Sequence, residues 1–420
     1  MKDTKRGRGY NKYYNKYNYN RNYGYNRYNN YQYIKSINKV TPSTDPGFTG
    51  PKKDWFSDVE FFNQMQGTSD YDNKKDYYFH SYSTFYIHED MLSDKVRTES
   101  YLNAINYNKE IFKDKVVLDI GCGTGVLSIF AAKAGAKKVY GIDFAEIADY
   151  AKKIVKDNNL EDKVIIMKTK VEDAEINEKV DIIISEWMGY FLLFESMLDT
   201  VLYARDKWLK EGGKILPDKA KIYLAAIEDY NYVKDKKTFW NDVYGVNMNC
   251  IAPIFYSEPS IFNYESKYVI SNSCKIFEID LNTVKVEDLD FASSYKLTFK
   301  RKDTFSGLVG WFDMEFSNIP KTLSFSTSPF TKSTHWKQCI FYSNKSVDVH
   351  KDNVLNGSIA VRKAKENPRA LDIKISFHFS PTSRLTDAIF HYFLSIFFII
   401  HILLLIHSFF SNSFFIYFFI

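Results

Sequence analysis

From Asp70 to Pro217 the chain alternates short apolar runs with stretches whose apolar positions recur every three or four residues. Residues 116–120 (Val-Val-Leu-Asp-Ile) form one such run, and residues 139–142, 164–168 and 181–185 form three more. Runs of this length read as buried strands, and the intervening segments, such as 127–134, carry the helical period. Strand–helix alternation predicts an α/β architecture, a doubly wound parallel sheet. Beyond Pro217 the character shifts. Residues 221–226, 295–300, 308–316, 338–342 and 371–379 are alternating strand-like runs that predict an antiparallel barrel or sandwich as a second domain.

The two ends break this pattern. Residues 1–40 are dominated by Asn and Tyr with interspersed Lys, Arg and Gly, and a segment so poor in aliphatic residues predicts disorder. Aromatics between positive charges can also contact RNA by stacking and phosphate pairing. Within this stretch, Arg6-Gly7-Arg8-Gly9 looks like an arginine methylation substrate. Pro42, Pro46, Gly47, Gly50 and Pro51 mark a linker to residue 68. At the other end, no Asp, Glu, Lys or Arg follows Asp387, and residues 388–420 are rich in Phe, Ile and Leu. By length this segment can span a bilayer as a tail anchor; the alternative is translated AT-rich non-coding sequence. The expected divisions are therefore 1–68, 69–217, 218–380 and 381–420.

Charge sharpens the picture of the partners. Residues 1–40 hold ten Lys/Arg against one acid, whereas the remaining 380 residues hold 46 basic and 50 acidic side chains. A slightly acidic body suits cationic partners. The four cysteines are scattered with no CxxC pair, which argues against a disulfide framework or a zinc site. With an N-terminus too polar for a signal peptide, a reducing location, cytoplasmic and nuclear, is expected.

Two constellations carry chemistry. Val116–Ile120 runs into Gly121-Cys122-Gly123-Thr124-Gly125, a glycine turn between a strand and a helix, and the next strand ends at Asp143. Glycines let backbone approach a nucleotide-like ligand, and the distal acid is placed for ribose hydroxyls. The GxGxG spacing, with Asp119 just before it, resembles the S-adenosylmethionine-dependent methyltransferases rather than the nicotinamide enzymes. Further on, residues 181–185 lead into Glu186-Trp187-Met188-Gly189-Tyr190, with Glu195 nine residues beyond Glu186 in an apolar segment. A hairpin-like loop would bring the two carboxylates together, and two nearby carboxylates need a cation between them. A planar guanidinium is the natural partner. Taken alone, the pair also fits one helix-capping Glu and one surface ion pair.

From about residue 76 to 379 the chain resembles the type I protein arginine methyltransferases. The likeness is carried by Asp76-Tyr77-Tyr78-Phe79 and Tyr82, by Ile87-His88-Glu89-Asp90-Met91-Leu92, and by Asp94 and Val96-Arg97-Thr98. It continues through the glycine loop, residues 185–190, Glu195 and Thr334-His335-Trp336. The resemblance implies a Rossmann-like S-adenosylmethionine-binding domain and an antiparallel β-barrel-like domain with a helical dimerisation arm at about 228–252, forming a homodimer. It implies that Arg97 pairs with the cofactor's carboxylate, that Gly121 and Gly123 pass close to the cofactor, that Asp143 binds the ribose, and that Val171 and Glu172 meet the adenine. Tyr78, Phe79, Tyr82 and His88 would lie on a helix closing over the cofactor. Glu186 and Glu195 would hold the substrate arginine, with His335 and Asp94 near the same pocket. Met91 and Met197 would leave room for asymmetric dimethylation, and Trp336 would stand at the substrate pocket. Arg/Gly-rich RNA-binding proteins and histone tails are the implied substrates.

The chain departs from the family pattern at three places. Asp143 stands where Glu is usual, and His80 and Tyr86 replace an acid and a glycine. The last family strand is missing after about residue 380, which predicts an unpaired edge. Two other functions fit parts of the chain. A methyltransferase for a small amine would use the same glycine loop, and a non-enzymatic RNA-binding or membrane-anchored scaffold would use the terminal segments. The intact Glu186, Glu195 and Arg97 speak against the second.

Overall fold

The computed structural model describes residues 82–365, 367–380 and 388–394. The expectations placed on 1–81, including Tyr78 and Phe79, on the linker, and on 395–420 lie outside the described residues.

Three helical segments come first: α1 (Phe85–Ser93), α2 (Lys95–Asn106) and a single turn, α3 (Lys109–Phe112). Strands β1 (Val116–Ile120), β2 (Lys138–Asp143), β3 (Val164–Lys168), β4 (Val180–Ser185) and β5 (Leu209–Leu216) then form one parallel sheet in the order β3-β2-β1-β4-β5. Helices α4 (Val126–Lys133), α5 (Ile147–Asp157) and α6 (Leu198–Trp208) are interleaved with them. Every residue of β1 is buried, as a central parallel strand covered on both faces must be, whereas β3 at the edge is largely open. On α5, Ile147, Ala148, Ala151 and Val155 form the buried stripe, a spacing that keeps one face against the sheet.

The rest of the described chain is antiparallel. One sheet runs β7 (Ser260–Phe262), β12 (Gln338–Val349), β10 (Asp303–Phe316), β6 (Lys219–Ile227) and β8 (Cys274–Asp280), with β11 (Leu323–Ser326) on β10. The other runs β15 (Ala388–Leu394), β14 (Leu371–Ser380), β13 (Val354–Lys363) and β9 (Phe291–Thr298). Phe305 of β10 lies edge-on to Phe377 and Phe379 of β14, at 5.2 and 5.4 Å, so the core lies between the sheets. β10 does not alternate as a half-exposed strand would, because residues 305–314 are all buried. The opposite face of its sheet meets the parallel region: Phe316 stacks edge-on to Tyr101 of α2 at 5.2 Å.

One expectation is corrected here. The edge predicted at β14 is paired: Ala388 to Leu394, the start of the apolar tail, runs antiparallel along Phe377 to Leu371. An apolar run of this kind suits a strand as well as a membrane helix, and a vacant sheet edge provides main-chain partners. No helix among the described residues is long and apolar enough to cross a membrane. The segment expected as an arm holds α7 (Tyr230–Phe239) and a 3₁₀ stretch, Asn249–Tyr256, with Tyr244, Val246, Tyr230 and Phe239 exposed.

Candidate functional site

Strands β1 and β4 are neighbours, yet the chain first moves outward through β2 and β3 before returning to β4. This reversal creates a crevice at the carboxyl ends of β1 and β4, where open α/β sheets bind ligands. Ile120 pairs in register with Ser185, so the glycine loop and the Glu186 loop leave the sheet side by side. Ser185 Oγ donates to the Ile120 carbonyl at 2.8 Å, and Tyr101 Oη donates to the Ser185 carbonyl at 2.9 Å.

On the β1 side, Gly121, Gly123 and Gly125 all have left-handed backbones, with φ of 67, 55 and 78°. A Cβ on Gly121 would stand 2.4 Å from Cε of Met197, and one on Gly123 would touch the His88 ring. His88, buried on α1, donates from Nε2 to the Tyr82 carbonyl at 2.7 Å, which leaves Nδ1 as the acceptor nitrogen. Burial lowers its pKa below the usual imidazole value, partly opposed by that hydrogen bond and by Asp143. Asp143, at the end of β2, accepts the Gly123 N–H and the Ala145 N–H, one on each carboxylate oxygen and both at 2.9 Å. The short Asp stem thus ties the acid to the glycine loop. Burial raises its pKa against those bonds. Val171 is buried, while Glu172 is exposed and accepts Thr200 Oγ1 at 3.3 Å, one turn beyond Met197.

One polar group beneath this loop was not singled out as a site residue from sequence. Asp119 is fully buried; its Oδ2 accepts Ser128 Oγ at 2.6 Å, and its Oδ1 has no partner among the described residues. Burial pushes its carboxyl up to about 7. An acid inside an otherwise apolar strand is the signal that marks it.

On the β4 side, the hairpin-like loop exists. Gly189 bridges Leu192, Tyr190 bridges Phe194, and the Met197 N–H closes the neck on the Trp187 carbonyl at 2.9 Å. Three non-glycine residues in it, Phe191, Leu192 and Glu195, have left-handed backbones, a concentration of strain typical of functional loops. A Cβ on Gly189 would fall 1.5 Å from the Phe194 carbonyl oxygen, so the turn admits only glycine. The loop leans on the antiparallel region: Phe191 lies edge-on to Phe341 at 5.2 Å, and the Glu195 N–H donates to the Arg369 carbonyl at 2.8 Å.

The two glutamates have different surroundings. Glu186 accepts Arg97 Nε at 2.9 Å, with both side chains only 8% exposed. Arg97, placed by α2, also donates to the Met91 carbonyl and Thr98 Oγ1 at 3.4 and 3.3 Å. Burial drives the Glu195 carboxyl up to about 7, with the Arg369 cation opposing. Asp94 caps α2 by accepting the Arg97 N–H at 3.1 Å; its other oxygen accepts the His335 N–H and the His335 Nδ1–H, both at 2.8 Å. Burial raises the Asp94 pKa, but the bonds from His335 and Arg97 outweigh it and leave the group below the ordinary value.

Most of the site residues named from sequence therefore converge: Glu186, Arg97, Met91, Asp94 and His335 form one connected network, and Gly121, Gly123, His88, Asp143 and Met197 another beside it. Trp336 does not line an open pocket. It is buried, donates from Nε1 to the Met188 carbonyl at 3.1 Å, and stacks on Phe325, so it acts as a prop beneath the Glu186 loop. Arg369 was missed, and as an ordinary turn residue far along the chain it carries no sequence signal.

A parallel sheet with a glycine cradle at its switch point, a distal acid and a buried cation fits an adenosyl amino acid and defines an S-adenosylmethionine-dependent methyltransferase. The comparisons agree. Residues 98–215 match the family model described as ribosomal protein L11 methyltransferase, and residues 218–383 match that described as the arginine methyltransferase oligomerization subdomain. The chain is 53% identical over 305 residues to protein arginine N-methyltransferase 1 of Chlamydomonas reinhardtii, covering 72% of this chain and 88% of that one. It is 50% identical over 308 residues to the protein of that name from Schizosaccharomyces pombe, covering 73% and 91%. Among solved structures, the Trypanosoma brucei PRMT1 enzyme–prozyme heterotetrameric complex with AdoHcy matches with a TM-score of 0.73 and 39% identity, over 75% of this chain and all of that one. Arabidopsis thaliana protein arginine methyltransferase 10 matches at 0.69 and 33%, over 75% and 99%. The chain belongs to the protein arginine methyltransferase family, in its type I branch. Its cofactor is S-adenosylmethionine, and it carries the family's oligomerisation subdomain.

Proposed function

We propose that this chain transfers methyl groups from S-adenosylmethionine to guanidinium nitrogens of arginine in proteins, giving mono- and then asymmetric dimethylarginine. The observation that carries this reading is that Glu186, beside the glycine cradle, already holds an arginine guanidinium, that of Arg97, at 2.9 Å. The carboxylate thus accepts a guanidinium N–H, the kind of donor a substrate arginine presents.

When bound, S-adenosylmethionine supplies a sulfonium-bound methyl group to an incoming nitrogen. The glycine backbone and Asp143 would hold its adenosyl part, with Val171 and Glu172 at the adenine. Arg97 would serve its carboxylate while keeping Glu186 aligned. Glu186 and Glu195 would take the substrate hydrogens on two sides of the guanidinium, drawing positive charge away from the attacking nitrogen. Catalysis here is positioning and electrostatics, so the groups that fix those carboxylates matter as much as the carboxylates. His335 is a suitable acceptor for the departing proton, because Asp94 holds its hydrogen on Nδ1 and leaves Nε2 as the base. Glu195, with a carboxyl near 7, is the second candidate. Met197 against Gly121 and Met91 on α1 are the side chains we assign to product specificity.

Exposed Tyr230, Phe239, Tyr244 and Val246 on the arm support a homodimer as the assembly. Four free cysteines support a reducing location, cytoplasmic and nuclear. Arg/Gly-rich RNA-binding proteins and histone tails remain the substrates we infer. The test is to incubate the full chain with methyl-labelled cofactor and an Arg-Gly-rich peptide, then hydrolyse and identify the methylarginine. Asymmetric dimethylarginine is expected. Symmetric product would overturn the type I assignment, and labelled small amine with unlabelled peptide would overturn the protein substrate.

A further inference from the structure

Arg97 and Tyr101 lie four residues apart on α2, one turn along the same buried face. We propose that Tyr101 is a positioning residue for methyl transfer: its hydroxyl holds the main chain that carries Glu186, so that α2 fixes both ends of this glutamate. The inference rests on the role proposed for Glu186 above and adds to that site a residue that acts through Glu186.

Three observations converge on Tyr101. The first is where the β4 ladders end. Their last pairs are Ile120–Ser185 with β1 and Ile184–Leu216 with β5. The peptide joining Ser185 to Glu186 follows these pairs, so its plane is set by the side chains around it. Tyr101 Oη donates to the Ser185 carbonyl, the oxygen of that very peptide, at 2.9 Å. A peptide unit is planar, so fixing its carbonyl fixes the direction in which Glu186 leaves the strand. Met188 Sδ, on the other side of Glu186 in the chain, lies 3.9 Å from the same hydroxyl.

The second is a shared frame. Arg97 Nε donates to Glu186 Oε2 at 2.9 Å, while Tyr101 holds the residue before Glu186. Carboxylate and backbone are thus both referred to one helix. That helix is anchored at its start by Asp94, which caps it and accepts the His335 Nδ1–H, and at Tyr101 by the edge-on ring of Phe316 at 5.2 Å. With the hydroxyl removed, Arg97 would still grip the tip of the carboxylate, but the backbone behind it would lose its tie to α2.

The third is charge. Tyr101 is buried, and burial pushes its phenol well above the ordinary value; the Glu186 carboxylate is the next largest cause of the rise. The ring therefore stands within the field of that carboxylate, and the phenol keeps its proton to donate.

A buried phenol takes whatever acceptor is near, and a bond made for that reason alone would leave turnover unchanged when lost. Tyr101→Phe keeps the ring and removes the hydroxyl. With methyl-labelled cofactor and an Arg-Gly-rich peptide, kcat should fall about tenfold or more, since a slight misplacement of a catalytic group is costly. S-adenosylhomocysteine affinity by calorimetry should stay at the wild-type value, because Arg97 and the glycine loop are intact. In the Glu186→Gln background the same substitution should change the residual rate by less than about twofold, because residues acting through one another are not additive. Phe316→Leu loosens the packing of the ring and leaves the hydroxyl bond; it should lower Tm yet keep kcat close to that of the wild type.

A wild-type rate in Tyr101→Phe, or a full multiplicative loss in the double variant, would overturn the inference. So would a Phe316→Leu rate as low as that of Tyr101→Phe, which would assign the effect to packing. A Tyr101→Phe chain that no longer binds S-adenosylhomocysteine would assign it to folding and overturn the inference as well. Wild-type turnover in Glu186→Gln alone would instead remove the role proposed for Glu186, and this inference with it.

Discussion

The two ends of the loop between β4 and α6 make the same functional group in opposite ways. At the β4 end, Glu186 follows a regular strand, and a buried arginine at 2.9 Å neutralises it. At the α6 end, Glu195 sits on a left-handed backbone at φ 54°, hydrogen-bonded through its own N–H to a turn of the antiparallel region, and its carboxyl is driven up to about 7. The first carboxylate is stabilised by the fold. The second is imposed on it, by a loop that Gly189, Phe191 and the sheet beneath hold in place. A site that must accept a cation benefits from this division. In the reaction we propose, Glu186 would give direction, while Glu195 would gain most when a guanidinium arrives, because its charge would then be compensated.

The comparison breaks first at Glu186. Glu186→Gln should lower kcat/KM by about 10³-fold, the scale of losing a preorganised charge contact. It should also destabilise the protein by about 3 kcal/mol, since Arg97 is left buried without its counter-charge. Steady-state rates and denaturant melts check both.

At Glu195 the sign of the stability effect reverses. A carboxyl whose folded pKa lies above its ordinary 4.5 adds stability that is complete below that value and is lost as pH rises through about 7. At pH 8 the charged group therefore costs about 3 kcal/mol at most. Glu195→Gln should raise Tm by a few degrees at pH 8 and leave it nearly unchanged at pH 4.5. A drop in Tm at pH 8 would show that Glu195 is stabilised, like Glu186, and would erase the contrast.

A smaller effect is expected at Arg369, the cation that opposes the rise at Glu195. Arg369→Ala should move the acidic limb of the kcat/KM–pH profile to higher pH, with a few-fold loss of rate near pH 7. No displacement of that limb would detach Arg369 from the site. The smallest belongs to the cofactor side. Asp143→Glu lengthens the stem that ties the acid to Gly123 and Ala145. A change of only a few-fold in cofactor KM is expected, with kcat nearly unaltered.

How much of this was visible in the sequence depended on how each element is stabilised. Residues 116–120 and 164–168 are bounded as expected, because each is a short apolar run ending at turns, the first in the middle of the parallel sheet and the second at its edge. β5 was passed over, since Leu-Lys-Glu-Gly-Gly-Lys carries no apolar signal and the strand is defined by main-chain pairing to β4. The apolar run after Asp387 reads from sequence as a membrane span or an artefact, yet its first residues pair the very edge that the missing family strand predicts to be open. At the site, the motif spacing was enough to bring together the glycine loop, Glu186 and Asp94 with His335. The direct Arg97–Glu186 pair, the burial of Trp336 under Met188 and the part played by Arg369 depend on contacts across the fold, for which local sequence has no signature.

The central claim is that two differently held carboxylates together grip an arginine for methyl transfer. Its most direct test is kcat/KM of Glu195→Gln toward an Arg-Gly-rich peptide at pH 8, with S-adenosylhomocysteine affinity measured by calorimetry on the same preparation. A loss of about 10²-fold or more in turnover with cofactor affinity unchanged is the predicted result. Turnover like that of the wild type, with cofactor bound equally well, would contradict it.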